Sequence, residues 1–345
     1  MHQQPFTYIP VVDISDLYSD HLADRLRVAS TIREYARDVG FFYITGHQIP
    51  RALTDNLIHT AKRYFDQTTA EKMRDYIGQS DNHSGYVPEG EEVFYGGSVD
   101  HKESYDLSFD LPDPQLSRPM LGANQWPEFP GFKQHVGSYY QAAFALGQRL
   151  FRAFALALGL RESYFDDLVT TPPSQLRLIH YPFNPDAEDR EGIGAHTDYE
   201  CFTLLLPTAD GLEVMNSEGE WINAPYKPDC FVVNIGDMLE VLSNGRFTAT
   251  SHRVRKVKQE RYSFPLFCSC DYDVVIRPVL PPLPGNADNK YAPIPCGDHL
   301  FAQTIHTFRY MQQRLSGGHV QLPDSARKVA TFGNIRQQEQ ADETV

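Results

Sequence analysis

Residues 192–199 read Gly192-Ile193-Gly194-Ala195-His196-Thr197-Asp198-Tyr199, and this stretch decides the fold. In an extended chain, residues i and i+2 project to one face, so His196 and Asp198 can offer a nitrogen and an oxygen to one metal ion. A third ligand has to come from elsewhere, and His252 in Ser251-His252-Arg253-Val254 is the candidate. Two histidines and a carboxylate on one face leave open positions on the metal, the arrangement suited to non-haem Fe(II) and O₂. An HxD pair alone also fits a structural histidine beside a turn aspartate, so its neighbours must decide.

Outward from this pair the chain alternates. Leu176, Leu178 and His180 interleave with Arg177, Ile179 and Tyr181, and short strand-like runs continue to about residue 277. Asn244-Gly245 reads as a hairpin inside that region. Many short strands with frequent turns indicate a β-sandwich or barrel. Arg261-Tyr262-Ser263 alternates too, so Arg261 and Ser263 share a face while Tyr262 and Phe264 take the other. An arginine fork with a hydroxyl receives the carboxylate of a small acid, and a buried arginine requires such an anion. Arg177 and Tyr181 share a face in the same way and can converge on the same cavity.

The flanks read as helices around this core. Leu22, Leu26, Ala29, Ile32, Ala36 and Val39 recur at helical spacing up to Gly40, and Phe41 to Thr45 follows as a buried strand. A second helix begins near Pro50 in a first-turn position. The stretch from about 74 to 128 is rich in Gly, Pro, Asp and Ser and reads as irregular, as functional lids often are. One long helix carries Phe132, Val136, Tyr139, Ala143, Leu146, Leu150, Phe154 and Ala157 on its inner face and stops at Gly159. A last helix spans roughly 298 to 315, ahead of a frayed polar tail. The expected fold is mainly β with flanking helices. Residues 1–130 form a mixed helix and strand region, and 131–345 hold the long helix, a catalytic core at about 174–277 and the C-terminal helix.

Composition narrows the function. The 345 residues are 41% hydrophobic, with 21 Phe and 19 Tyr, which excludes a disordered chain. The formal charge of −14 disfavours a nucleic-acid partner. No run of apolar residues is long enough for a membrane span and no secretory signal opens the chain. Five scattered cysteines suit reduced thiols in a cytoplasm. Cys268 and Cys270 lack the second pair that a structural zinc site wants and read as core residues. His83, His101 and His180 have no assigned role beyond hydrogen bonding.

In this order the motifs resemble the iron(II)- and 2-oxoglutarate-dependent dioxygenases of the isopenicillin N synthase-like family. The resemblance runs from Ile9-Pro10-Val11-Val12-Asp13-Ile14 and Gly40 to His47, through Arg177 to Pro182, His196-Thr197-Asp198 and Gly211-Leu212-Glu213-Val214, to Asn234-Ile235-Gly236-Asp237, His252-Arg253-Val254 and Arg261-Tyr262-Ser263. It implies a double-stranded β-helix, or jelly roll, with Fe(II) on His196, Asp198 and His252. It also implies 2-oxoglutarate chelating the iron, its far carboxylate on Arg261 and Ser263 with Tyr181 as a third contact, and O₂ as the oxidant. Ile179 departs from the many plant relatives that carry Asn there. Asp237 is expected in a turn away from the metal.

The segment from Ser84 to Val93 resembles the arginine-binding, ethylene-forming branch of that family, as does the run through Tyr199. In that branch a carboxylate matching Glu92 receives a guanidinium, and a tyrosine matching Tyr199 contacts the substrate. Arg309 resembles the branch's C-terminal arginine once a small insertion is allowed. Phe94 stands where the branch has a small hydroxyl residue, which favours hydroxylation over ethylene formation. The expectation is a hydroxylase of a small metabolite, with arginine or homoarginine as candidates and succinate and CO₂ as coproducts. An iron oxidase of the same fold acting without 2-oxoglutarate is the alternative, and a non-catalytic ligand-sensing barrel is disfavoured by the triad.

Overall fold

Alternation along the strands sorts the core into two sheets, beside which Val275–Ile276 and Ile294–Pro295 form a separate two-stranded pair. The computed structural model describes residues 5–93, 102–183, 191–255, 259–283 and 291–326. An eight-stranded sheet runs in the order β1 (Val11–Asp13), β2 (Phe41–Thr45), β10 (Phe231–Ile235), β7 (Phe202–Pro207), β12 (Arg261–Cys268), β5 (Gln175–Tyr181), β4 (Glu103–Leu107), β3 (Gly85–Val87). A four-stranded sheet follows the order β6 (Glu191–His196), β11 (His252–Arg255), β8 (Leu212–Met215), β9 (Trp221–Ala224). This is the jelly-roll core that the alternation predicts.

Antiparallel partners share a face, so the register fixes which side chains look into the space between the sheets. Asp106 stands opposite Arg177, Ser263 opposite Ile179, Arg261 opposite Tyr181, and Asn234 opposite Thr203. Ile179 and Tyr181 pack on Val254 of the smaller sheet, and Leu205 and Val232 on Leu212 and Val214. The intervening residues Leu176, Leu178, Leu204, Tyr262, Phe264 and Leu266 turn the other way into the main core.

Helices cover that outer face. α1 (Leu22–Asp38), α2 (Arg51–Phe65) and α4 (Phe132–Ala157) contribute Ile32, Ala36, Leu57, Ala61, Val136, Tyr139, Leu146, Leu150 and Phe154, all buried. Each fully buried Val, Leu, Ile or Phe side chain there stabilises the fold by about 1.5–3 kcal/mol. α4 stops as read: Gly159 takes the left-handed conformation (φ +73°), and Leu160 N–H bonds back to Ala155 O. Pro50 sits at the N-cap of α2, one position outside the helix.

Three segments depart from the sequence reading. The stretch read as irregular contains the short helix α3 (Thr69–Lys72) and strands β3 and β4, which complete the edge of the large sheet. Asn244-Gly245 is no hairpin. It ends the short helix α5 (Asp237–Leu242), with both residues at positive φ and Gly245 N–H bonded to Glu240 O; Asn-Gly suits any left-handed turn, and here the turn is a helix end. Asp237 accordingly opens α5. The last helix is two, α6 (Cys296–Thr307) and α7 (Arg309–Ser316), broken at Phe308, whose backbone is extended. Cys268 and Cys270 are buried in the main core. His101, Phe94 and the polar tail lie outside the described residues.

Candidate metal and cosubstrate site

The two sheets each contribute to one cluster. His196 and His252 are direct partners across the β6–β11 ladder, their ring centroids 4.3 Å apart. Asp198 follows β6, and its Oδ1 lies 3.7 Å from His196 Nε2 and 3.6 Å from His252 Nε2. Donor atoms of all three lie within 4.8 Å of one another, a set able to hold a metal ion.

The surroundings set the protonation that ligation needs. His196 Nδ1 meets Gly194 O at 2.8 Å and His252 Nδ1 meets Thr250 O at 3.3 Å. A carbonyl only accepts, so each Nδ1 donates and each Nε2 is the ring nitrogen turned to Asp198 and available to a metal. Burial, with His252 beside it, lowers His196 to about 4. Burial opposes ionisation of Asp198, but the two imidazoles and two donors outweigh it and hold the carboxylate below its ordinary range. Those donors are Thr203 Oγ1 and Asn234 Nδ2, the latter at 2.7 Å, both bonded to Oδ2. Oδ1 is thereby left for the metal. Asn234 stood in a quoted motif without a role, and Thr203 went unnoticed, because their convergence depends on the β7–β10 register.

The loop after Asp198 is strapped to α5. Gly236 N–H bonds to Cys201 O at 2.9 Å and Asp237 N–H to Asp198 O at 2.8 Å. A Cβ on Gly236 would collide with the Glu200 carbonyl, so glycine is required by close approach. Tyr199 is half-buried and meets the edge of His299, with ring centroids 6.1 Å apart.

Arg261 is 1% exposed and Ser263 3%. The Arg261 guanidinium lies 4.9 Å over the Tyr181 ring and makes one long bond, Nε to Ala209 O at 3.4 Å. Among the described residues, its Nη1 and Nη2 find no hydrogen-bond acceptor. A buried guanidinium edge left open in this way fits a carboxylate ligand.

Arg177 is placed differently from expectation. Its guanidinium bonds Asp106 with Nε and Nη2 (2.8–3.1 Å), and its Nη1 lies 2.5 Å from Glu92 Oε1. Both carboxylates claim it, so the fork is committed to Asp106 and Glu92. Lys102 Nζ lies 2.5 Å from the other Glu92 oxygen. Burial opposes the charge on Glu92, but Arg177 and Lys102 hold it down at about 2. For Asp106 burial prevails and its pKa is raised. The charge of Lys102 in this cluster also helps to lower His196, after burial and His252. Glu92 is fixed by a backbone bridge to Phe308, with Val93 N–H on Thr307 O at 2.8 Å. Arg309, the next residue, is exposed and is not brought into the site. Lys102 and Asp106 were missed because β4 was read as irregular.

Residues 172–269 match the 2OG-Fe(II) oxygenase superfamily, and residues 9–129 match the N-terminal region of non-haem dioxygenases in morphine synthesis. The chain is 33% identical over 311 residues to the 2-oxoglutarate-Fe(II) type oxidoreductase hxnY of Emericella nidulans, covering 84% of this chain and 87% of that protein.

The chain belongs to the 2OG-Fe(II) oxygenase superfamily.

Homoarginine-6-hydroxylase 2-ODD-233 of Oryza sativa subsp. japonica is 32% identical over 88% of this chain and 98% of its own length. Among solved structures, a 2OG-Fe(II) oxygenase family protein from Caulobacter crescentus superposes with a TM-score of 0.77 at 31% identity, over 90% of this chain and 99% of that one. Neurospora crassa T7H in complex with alpha-KG gives a TM-score of 0.74 at 26% identity, over 86% and 95%. As a 2OG-Fe(II) oxygenase, the protein uses Fe(II), 2-oxoglutarate and O₂. Its residues fit both groups: an N/O donor set with open positions suits iron, and the open edge of Arg261 suits a dicarboxylate.

Proposed function

We propose that this 2OG-Fe(II) oxygenase hydroxylates a small cationic amino acid, with arginine and homoarginine as candidates, and releases succinate and CO₂. Bound iron(II), with 2-oxoglutarate and O₂, supplies the oxidising chemistry that inserts one oxygen atom into a C–H bond. His196, Asp198 and His252 hold the metal, and Thr203 and Asn234 turn the Asp198 carboxylate toward it. Arg261 and Ser263 anchor the far carboxylate of 2-oxoglutarate, with Tyr181 flooring the guanidinium. Packing of Ile179, Tyr181 and Val254 keeps water out of the anchor. Glu92 and Tyr199 receive the substrate, while Arg177 positions Glu92 and serves the cosubstrate only through that side of the cavity. Arg309 takes no part.

The observation that carries the reading is the open guanidinium edge of Arg261 on the sheet face that also carries Thr203 and Asn234. The similarity to homoarginine-6-hydroxylases supports the substrate class. We further infer a cytoplasmic protein without nucleic-acid or membrane partners, consistent with its net charge of −14; no helix among the described residues is long and apolar enough to cross a membrane. Residues 1–130 and 131–345 act as one catalytic unit, since the first supplies Glu92 and the second the metal ligands.

The test is an anaerobic titration with Fe(II), then 2-oxoglutarate, following the visible band of the chelate. O₂ is then added with arginine, homoarginine, lysine or neutral amino acids, and succinate is counted. A band with succinate raised by cationic amino acids alone bears the proposal out. A band with no preference removes the substrate class, and no band removes the cosubstrate assignment.

A further inference from the structure

Helix α6 touches both residues proposed to receive the substrate. Near its start His299, 1% exposed, meets the edge of Tyr199, with ring centroids 6.1 Å apart. At its end the Thr307 carbonyl accepts from Val93 N–H at 2.8 Å, and Phe308 bridges to Glu92. His299, Gln303 and Thr307 are spaced four residues apart, so they follow one face of the helix between those ends.

Gln303 is the unusual member of that face. It is 5% exposed, and among the described residues its Oε1 is buried and meets no hydrogen-bond donor. The Thr307 hydroxyl, one turn on, donates to the Gln303 backbone carbonyl at 2.9 Å and not to the side chain. A buried acceptor left open carries the cost of desolvation with no return inside the unliganded protein. An arriving N–H supplies what is missing, and a cationic N–H makes the stronger bond.

A cationic amino acid brings two cations, the side-chain group and the α-ammonium. Glu92 is the receiver proposed for the first. Gln303 precedes Thr307 by four residues, about 6 Å of helix rise, a separation on the scale of the chain that joins the two cations of arginine. Arg309, the residue expected to hold the amino-acid end, is exposed, so that end needs another receiver.

We propose that Gln303 is a specificity residue of the substrate pocket: its Oε1 accepts from the α-ammonium of an amino acid whose side-chain cation lies at Glu92. The inference rests on the proposed amino-acid substrate and assigns its second contact.

The experiment is calorimetric titration of three ligands into the Fe(II)- and 2-oxoglutarate-loaded protein under argon. They are arginine, agmatine, which lacks the carboxylate, and desamino-arginine, which lacks the amine. Gln303→Leu is expected to weaken arginine and agmatine at least about tenfold and to move desamino-arginine by no more than about twofold. Its unliganded Tm should hold or rise, because an open polar atom is replaced by an apolar one. An equal loss for all three ligands, or no loss for any, overturns the inference. A loss confined to arginine and desamino-arginine overturns it too, since the amide then reads the carboxylate. Citrulline, the neutral isostere of arginine, separates this inference from the cationic substrate. If wild type binds citrulline as well as arginine and Gln303→Leu weakens both, the cationic class falls and Gln303 keeps its role. If wild type binds neither, both fall. Should Gln303→Leu not fold, Gln303→Met decides by the same criteria.

Discussion

Thr203 and Asn234 face each other across the β7–β10 ladder and donate to the same oxygen, Oδ2 of Asp198. The large sheet thus aims a carboxylate whose two histidine partners belong to the small sheet. Asn234→Ala or Thr203→Val should lower Fe(II) affinity by about 10–100-fold, the usual effect of losing such a ligand-orienting bond. Fe(II) titration of the folded variants checks this, and wild-type affinity in both would refute it.

Arg261 gives a prediction of opposite signs in two measurements. Its open Nη1 and Nη2 are buried in the ligand-free protein, so Arg261→Met should leave unliganded stability unchanged or raise it by about 1–4 kcal/mol. The same substitution should abolish the rise in Tm that 2-oxoglutarate produces in the wild type. A large loss of unliganded stability would show that the guanidinium is structural.

Glu92→Ala should weaken homoarginine or arginine strongly while the 2-oxoglutarate affinity stays within about twofold, because the cosubstrate anchor is Arg261. It should also destabilise the fold by about 3–5 kcal/mol, since Lys102 and Arg177 each lose a buried carboxylate partner. Urea unfolding and ligand titration separate the two effects. Equal arginine binding by wild type and variant removes Glu92 from the substrate pocket.

Gly236→Ala should cost both stability and iron. The added methyl meets the Glu200 carbonyl and pushes apart the strap from Gly236 and Asp237 to Cys201 and Asp198. A loss of about 1–3 kcal/mol, typical of overpacking, with weaker Fe(II) binding is expected. Unaltered iron affinity would mean the loop relaxes without moving Asp198.

Stability of the metal-free protein should decline in mild acid. Burial holds His83 down at about 3 and His299 at about 4, so both imidazoles are neutral in the fold. Unfolded, they take up protons below about pH 6.5. The unfolded state then binds more protons, and stability falls by about 1.4 kcal/mol per pH unit for each imidazole as the pH drops toward 4. Glu92, held at about 2, adds its own loss as the pH falls from its ordinary range through that value. Urea midpoints across this range check the slope. His83→Gln should flatten it, and an unchanged slope would reassign the protons.

The parts of the site that the sequence made legible are those written in local alternation. His196 at the end of a strand is two residues from Asp198, Arg261 and Ser263 lie two residues apart on one strand, and α1 and α4 follow their apolar spacing. Glu92, Lys102, Asp106 and Arg177 were not legible as a group. Their association depends on β4 pairing with β5, and β4 carries buried polar residues, Glu103, Ser104 and Asp106, that hydropathy assigns to the surface. Arg309 misled for a related reason. The helix breaks at Phe308, and that break turns Phe308 inward and Arg309 outward, which helical spacing across 298–315 cannot show.

On the ribosome, His196, Asp198, His252 and Arg261 all emerge before Phe308 and Tyr310. Thr307, Arg309 and Tyr310 pin the Glu92 segment through their backbone, with Val93 N–H on Thr307 O, Arg309 N–H on Glu91 O and Tyr310 N–H on the Glu91 carboxylate. A chain cut before Thr307 therefore keeps His196, Asp198 and His252 in its sequence but loses the backbone bonds that hold the segment carrying Glu92.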